Sequence, residues 1–246
     1  MDVAIRHIHS MDDKNLSQQE WLIQAAFASL APVLDQQVVR SVRLHATTQD
    51  ATVEQYLSQA RAIGDRLIAT ALHSAEMVEW LELIEAGEQE WQVVFTDADL
   101  YNGTAGITLF LAYLGKQTGS EQYTTLARKA FETTRRKIHS HAAQIDLYGL
   151  GAFIGLSSFI YLLAQLGTLW EDDQLYVEAE YLVQQLSPII AQETAFDVNS
   201  GTAGCLLTLL ALYKVKPTQA ILQASIECGE HLLKHMRSTL MGRLEH

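Results

Sequence analysis

Three stretches of this chain are apolar at nearly every position, and each is followed by one whose apolar residues recur at helical spacing on a single face. The apolar stretches predict helices over about 104–116, 155–167 and 202–214. The amphipathic ones predict helices over about 120–140, 172–192 and 218–238. Upstream the rhythm differs. Ser17 and Glu20 have the spacing of a capping box and open a predicted helix over about 17–31, which Pro32 ends. Residues 33–48 carry mixed signals and read as irregular. A longer helix is predicted over about 50–73, with Tyr56, Leu57, Ala60, Ile63, Leu67 and Ala71 on its apolar stripe. Over 76–95 apolar and polar residues alternate on both sides of Ala86-Gly87. That predicts a hairpin with strands near 78–84 and 90–95, the one place where strand is favoured over helix.

The apolar helices open on related phrases: Gly103-Thr104-Ala105-Gly106, Gly155-Leu156-Ser157-Ser158 and Gly201-Thr202-Ala203-Gly204, spaced by 52 and 46 residues. Such a period marks a repeat of helical hairpins. A helix apolar all round must be buried all round, and one with a polar face lies outside. The repeat therefore predicts an all-α fold, a partial α/α toroid with inner and outer helix layers, carrying the small β-hairpin near 78–95. The glycines are expected where neighbouring inner helices converge, and Ser158 is small enough to stand in for one of them. Inner helices that start alike should point their N-termini to one end, where dipoles and free N–H groups favour an anion.

Composition narrows the function. Of 246 residues, 48% are hydrophobic and 19% charged, which suits a sizeable core, and only Pro32, Pro188 and Pro217 could interrupt helices. The net charge of −12 argues against nucleic acid as a partner. The single basic run, Arg135-Arg136-Lys137, reads as a solvated outer face. Cys205 and Cys228 form no CxxC motif and imply no disulfide framework. There is no signal peptide, and the longest apolar run, Ala203 to Tyr213, is too short for a membrane span. The expected location is the cytosol, with no membrane partner.

The phrases "DLYNGTAGITLFLAYLG", "GAFIGLSSFIYLLAQLG" and "DVNSGTAGCLLTLLALY" resemble the first three glycine-rich repeats of lanthionine synthetase C-like cyclases, in particular the cyclase domain of class II (LanM-type) lanthipeptide synthetases. The upstream segments "SQQEWLIQAAFASL", "ARAIGDRL" and "WLELIEAGEQEW" resemble what precedes those repeats, so the likeness runs from Leu16 to Ser238. It implies an α-toroid whose parent holds a catalytic zinc between two cysteines and a histidine. There, zinc-bound peptide thiols add to dehydroalanine or dehydrobutyrine, and an acid protonates the resulting enolate. The parent would carry an upstream dehydratase domain and act on a precursor peptide. The family's Cys-His-Gly, Trp-Cys-x-Gly and His-Gly phrases do not occur here. The resemblance thus implies a fragment that holds no zinc and is inactive alone. Residues 1–48 read as a helical lead-in, 49–243 as the first half of the toroid, and 244–246 as a tag remnant.

One catalytic residue of the family maps onto the chain: Asp197, which by the resemblance would orient the missing histidine and assist proton transfer. The competing reading has Asp197 capping a helix N-terminus, as Asp99 would in the first repeat. Tyr101, Asn102 and Asn199, in the same lead-in loops, are the candidates for substrate contact. The rings of Tyr101 and Tyr148 are expected to pack on their loops. Cys205 reads as a small core residue without a second cysteine nearby, and Cys228 as packing. His231 and His235 share a helix face and could bind zinc, but without a third ligand they read as a surface pair near a helix C-terminus. Asp97/Asp99 and Asp172/Asp173 leave open a two-carboxylate glycosidase, although Asp172 and Asp173 suit the first turn of an outer helix. A noncatalytic peptide-binding repeat module is the other alternative, and uncovered inner helices would favour self-association.

Overall fold

The computed structural model describes residues 51–74, 77–87, 90–140 and 149–244, together with Glu20 and Ile23. Glu20 and Ile23 are helical; the rest of the helix expected over 17–31, the stretch 33–48 and Tyr148 lie outside the described residues. The chain forms two compact units, Met1–Ser74 with Glu79–Thr96, and Ala75–Val78 with Asp97–His246.

In the first unit, α1 (Val53–Thr70) starts with a complete capping box. The Thr52 hydroxyl accepts the Gln55 amide at 3.2 Å, and the Gln55 side chain accepts the Thr52 amide at 2.8 Å. Its inward line runs through Leu57, Ala60, Gly64, Leu67 and Ala71. Tyr56 and Ile63, expected on that stripe, are 67% and 54% exposed. Each precedes a residue of the inward line, and one residue turns the helix by about 100°, so both point to the side. Two short strands, β1 (Leu72–His73) and β2 (Val78–Glu79), form a sheet too small to leave a sequence pattern. The expected hairpin is present as β3 (Leu81–Gly87) and β4 (Glu90–Phe95), with Leu81 opposite Phe95 and Leu83 opposite Val93. Gly87 lies inside β3, next to a bulge, rather than in the turn. Trp80 Nε1 donates to the Leu67 carbonyl at 2.9 Å, tying the start of the hairpin to α1.

The second unit holds three helical pairs. They are α2 (Thr104–Thr118) with α3 (Glu121–Ser140), α4 (Leu156–Trp170) with α5 (Asp173–Val183) and α6 (Leu186–Gln192), and α7 (Thr202–Val215) with α8 (Gln219–Leu244). The inner helix α4 packs against α2 on one side and α7 on the other, and each inner helix packs on the outer helix that follows it. Leu156, Phe159, Ile160, Leu162, Leu163 and Leu166 of α4 are all fully buried, as an all-round apolar helix requires. In α3 the buried residues, among them Tyr123, Leu126, Ala130 and Ile138, keep to one face. This is the all-α, partial α/α arrangement that the repeat predicts, with the small hairpin.

Two outer helices differ from expectation. The helix expected over 172–192 is broken at Gln184-Gln185. Pro188 explains the break: it has no N–H to give to the Gln184 carbonyl, and its ring clashes with that carbonyl in a continuous helix. In the first turn of α6 the same proline is tolerated, because the N–H there lacks an intrahelical partner anyway. Helix α8 runs on to Leu244, so His231 and His235 sit inside it rather than at its end. The basic run is also less solvated than expected. Arg135 reaches from α3 to Glu178 on α5, with Nε and Nη2 at 3.0 and 2.9 Å from its two oxygens, and His139 joins at 3.0 Å. No described helix is long and apolar enough to cross a membrane.

Candidate functional site

The inner helices begin at one end because their lead-in loops are bonded to one another. Leu100 N–H donates to the Phe153 carbonyl at 3.0 Å, joining the first lead-in to the second. Ala152 N–H donates to Val198 O at 3.2 Å, and Phe153 and Ile154 N–H both donate to Asn199 O at 3.1 and 2.9 Å, joining the second to the third. Within each repeat the chain folds back by the same step of seven residues. Thr104 N–H meets Asp97 O at 2.7 Å, Leu156 N–H meets Gly149 O at 3.1 Å, and Thr202 N–H meets Ala195 O at 3.0 Å. Gly106 and Gly204 repeat the step onto the carbonyls of Asp99 and Asp197, each at 3.3 Å. The first N–H groups of these helices are therefore satisfied by lead-in backbone, and the N-cap residues Gly103, Gly155 and Gly201 make no side-chain cap.

This corrects the expected role of the glycines. A Cβ on Gly103 would lie 2.5 Å from the Asp99 nitrogen, and one on Gly106 would lie 2.5 Å from the Leu100 carbonyl. Gly201 likewise faces Ala195 and Phe196. These three make room for their own lead-in loop, not for a neighbouring helix. Gly204 makes room for two loops, facing Val198 of its own lead-in and the Ala152 nitrogen of the preceding repeat's lead-in. Ser158 is buried, as expected, and its hydroxyl donates to the Gly155 carbonyl at 2.7 Å.

The two acids hold loops rather than cap helices. Asp99 Oδ1 accepts the amides of Tyr101 and Asn102 at 2.9 and 3.1 Å. Asp197 Oδ1 accepts those of Asn199 and Ser200 at 2.7 and 2.9 Å, and its Oδ2 accepts the Ser200 hydroxyl at 3.1 Å. A carboxylate four residues before the N-cap glycine reaches amides two and three residues on, an Asx turn, and stops short of the helix. The equivalents differ in charge preference. Burial is the main cause pushing the Asp99 carboxyl up, with Asp97 adding repulsion. The hydrogen bond from the Ser200 amide leads in pulling exposed Asp197 down. The signs give opposite stability profiles. Asp99 binds its proton more tightly when folded, so its contribution falls as pH rises above 3.8; that of Asp197 is present above 3.8 and is lost as pH falls below it. We expect Asp99→Asn to raise neutral-pH stability by up to about 1 kcal/mol and Asp197→Asn to lower it. Both differences should vanish in acid, and urea unfolding across pH 3–7 reads them.

Asp197 and the three candidate contact residues Tyr101, Asn102 and Asn199 are all exposed at this end of the second unit. The Tyr101 ring is 68% exposed and does not pack on its loop as expected. Between the lead-ins lies an apolar cavity of about 230 Å³, lined by Leu100, Phe153, Tyr161, Val198, Leu207 and Thr208 with Ala152. All three repeats contribute to it. Sequence reasoning missed this cavity, because its walls come from positions more than a hundred residues apart, none carrying a chemical signature (Leu100 to Thr208). Asp172 caps α5 by accepting the Gln174 amide at 3.0 Å, with Asp173 in the first turn, as expected for a helix start.

Cys205 and Cys228 are both fully buried core residues, as expected, but they are not apart. The two side chains meet between α7 and α8, and the hydrogen bond with Cys205, with burial adding to it, holds the Cys228 thiol far above its usual range. Two sulfurs without a further described ligand fall short of the four that a structural zinc site takes. No described group of three His, Cys, Asp or Glu side chains converges as a metal site. His231 and His235, the other candidate pair, share a face as expected and engage the Phe196 ring instead.

Inner helices entered through mutually bonded glycine-rich loops, each backed by an outer helix, define an α/α repeat domain. The lanthionine synthetase C-like protein family matches residues 94–243, and the chain belongs to that family. No curated protein matches the chain.

Proposed function

We propose that this chain supplies the opening repeats of a lanthionine-forming cyclase of the class II (LanM) synthetase type, working in the cytosol on a dehydrated precursor peptide. The observation that carries the reading is the exposed, loop-held carboxylate of Asp197, next in the chain to Val198 of the apolar cavity's lining, within a domain of the matched family. In that reaction a peptide cysteine thiol adds to dehydroalanine or dehydrobutyrine, the C–S bond forms, and the α-carbon takes a proton. Asp197, kept ionised by the Asn199 and Ser200 amides, suits the task of orienting a proton-carrying partner beside that carbon. Tyr101, Asn102 and Asn199 line the approach for the peptide, and the cavity takes an apolar side chain flanking the reacting cysteine. At about 230 Å³ it is smaller than the roughly 300–1,000 Å³ of sites that enclose a whole small ligand. The family's zinc supplies thiol activation when bound; the cysteines of this chain do not fit it, and no step through it is assigned to them.

The test uses the complete gene product that carries this sequence, with a dehydrated, leader-bearing peptide and alkylation of remaining thiols read by mass spectrometry. Ring formation is expected, and Asp197→Asn is expected to slow it by about 10- to 100-fold. Retention of all peptide thiols by the unaltered protein would end the reading.

A further inference from the structure

We propose that Phe196, seated on His231 and His235 of α8, is a positioning residue for Asp197. This rests on the reading of Asp197 given above. The Phe196 ring lies nearly parallel to both imidazoles, with centroids 3.6 Å from His235 at 13° and 5.3 Å from His231 at 20°. His231 Nε2 also lies 2.9 Å from the Glu193 carbonyl oxygen. Glu193 in turn accepts the amides of Thr194 and Ala195 on its Oε1, each at 2.8 Å. The outer helix therefore grips the segment immediately before the acid at two points.

The first repeat supplies the comparison. Its step-of-seven bonds align Asp97, Ala98 and Asp99 with Ala195, Phe196 and Asp197. Ala98 is buried there and has no ring to stack. The backbone frame thus forms without an aromatic residue, and the stacked ring is an addition made in the third repeat. It accompanies a difference between the acids: Asp99 is half-buried, whereas Asp197 is exposed and surrounded by little besides its own loop. Phe196 fixes the peptide plane that leads into Asp197, and so keeps the carboxylate on the amides of Asn199 and Ser200 and aimed to the open side.

The experiment follows the Asp197 carboxyl by carbon-detected NMR titration in the full chain, with thermal melts to establish folding. In the unaltered protein the midpoint is expected below the usual carboxylate value, chiefly because the Ser200 amide bonds the ionised form. Phe196→Ala is expected to move it up by about half a unit or more, as the amide bonds loosen, and Phe196→Tyr is expected to restore it. His235→Ala removes the closer stack at an exposed position and should move the midpoint the same way, which keeps the test open if Phe196→Ala does not fold. A folded Phe196→Ala or His235→Ala protein with an unmoved midpoint overturns the proposal. In the ring-forming assay Phe196→Ala should lower kcat with KM retained; an equal change in KM alone overturns it too. Failure of the unaltered protein to form rings sinks the cyclase reading and leaves the titration result standing.

Discussion

Gly204→Ala is expected to destabilise the protein by about 3 kcal/mol or more, as one added methyl group meets backbone on two sides. Its Cβ would fall against the Val198 carbonyl oxygen and the Ala152 nitrogen, with the Val198 carbonyl carbon at 2.9 Å. Neither neighbour is the far end of a flexible side chain. Ala152 N–H donates to Val198 O at 3.2 Å, so pushing one away breaks the bond that joins the second lead-in to the third. The strain reaches the cavity and the Asp197 loop together. Gly229→Ala is the control. Nothing lies within 4 Å of a Cβ there, and the site is interior to α8. The same substitution should stabilise by about 0.5–1 kcal/mol through helix propensity. Urea unfolding of both variants checks the pair; a Gly204→Ala cost below that of an ordinary surface change would mean the loops do not meet as described.

Phe159→Ala should cost about 3–5 kcal/mol, the range for emptying an aromatic site in a close-packed core. Phe159 is fully buried on α4, the inner helix that touches both of its inner neighbours. Its ring stacks on Phe131 of α3 with centroids 6.3 Å apart. Phe131 meets Trp170 edge-on at 5.7 Å, and the Arg128 guanidinium covers the Trp170 ring at 4.4 Å. The row crosses from inner to outer layer, so its loss loosens α3 as well as α4. Phe159→Leu, which keeps most of the volume, should cost about 1.5 kcal/mol or less. Leu207→Ala, at a residue 54% exposed on α7, should stay within about 0.5 kcal/mol. Thermal or urea unfolding ranks the three, and near-equal costs would contradict the burial pattern.

Much of the layered fold was legible along the chain. Helices apolar all round alternate with helices apolar on one face, and that contrast alone separates inner from outer positions. The hairpin was legible too, because a change of period survives whatever the strands later pack against. Pro188 was visible, but the break it causes was not foreseen, since a proline can sit in a first turn or force a new helix, and only the tertiary packing of α6 and α8 distinguishes the two. The repeated Asp-to-Gly spacing marked two loops built alike, but not what their acids do within them. A carboxylate near a helix start is equally placed to cap the helix or to close a turn, and the choice depends on which N–H groups the backbone has already satisfied.

The sequence by itself determined the repeat, the two layers, the shared polarity of the inner helices and the family, because periodicity and glycine placement act locally and are written in consecutive residues. Tertiary structure alone decided that Cys205 meets Cys228, that Arg135 reaches Glu178 on another helix, that Phe196 rests on two histidines, and that a cavity opens between three loops. Those outcomes depend on distances between residues remote in the chain, and such distances exist only once the helices have packed.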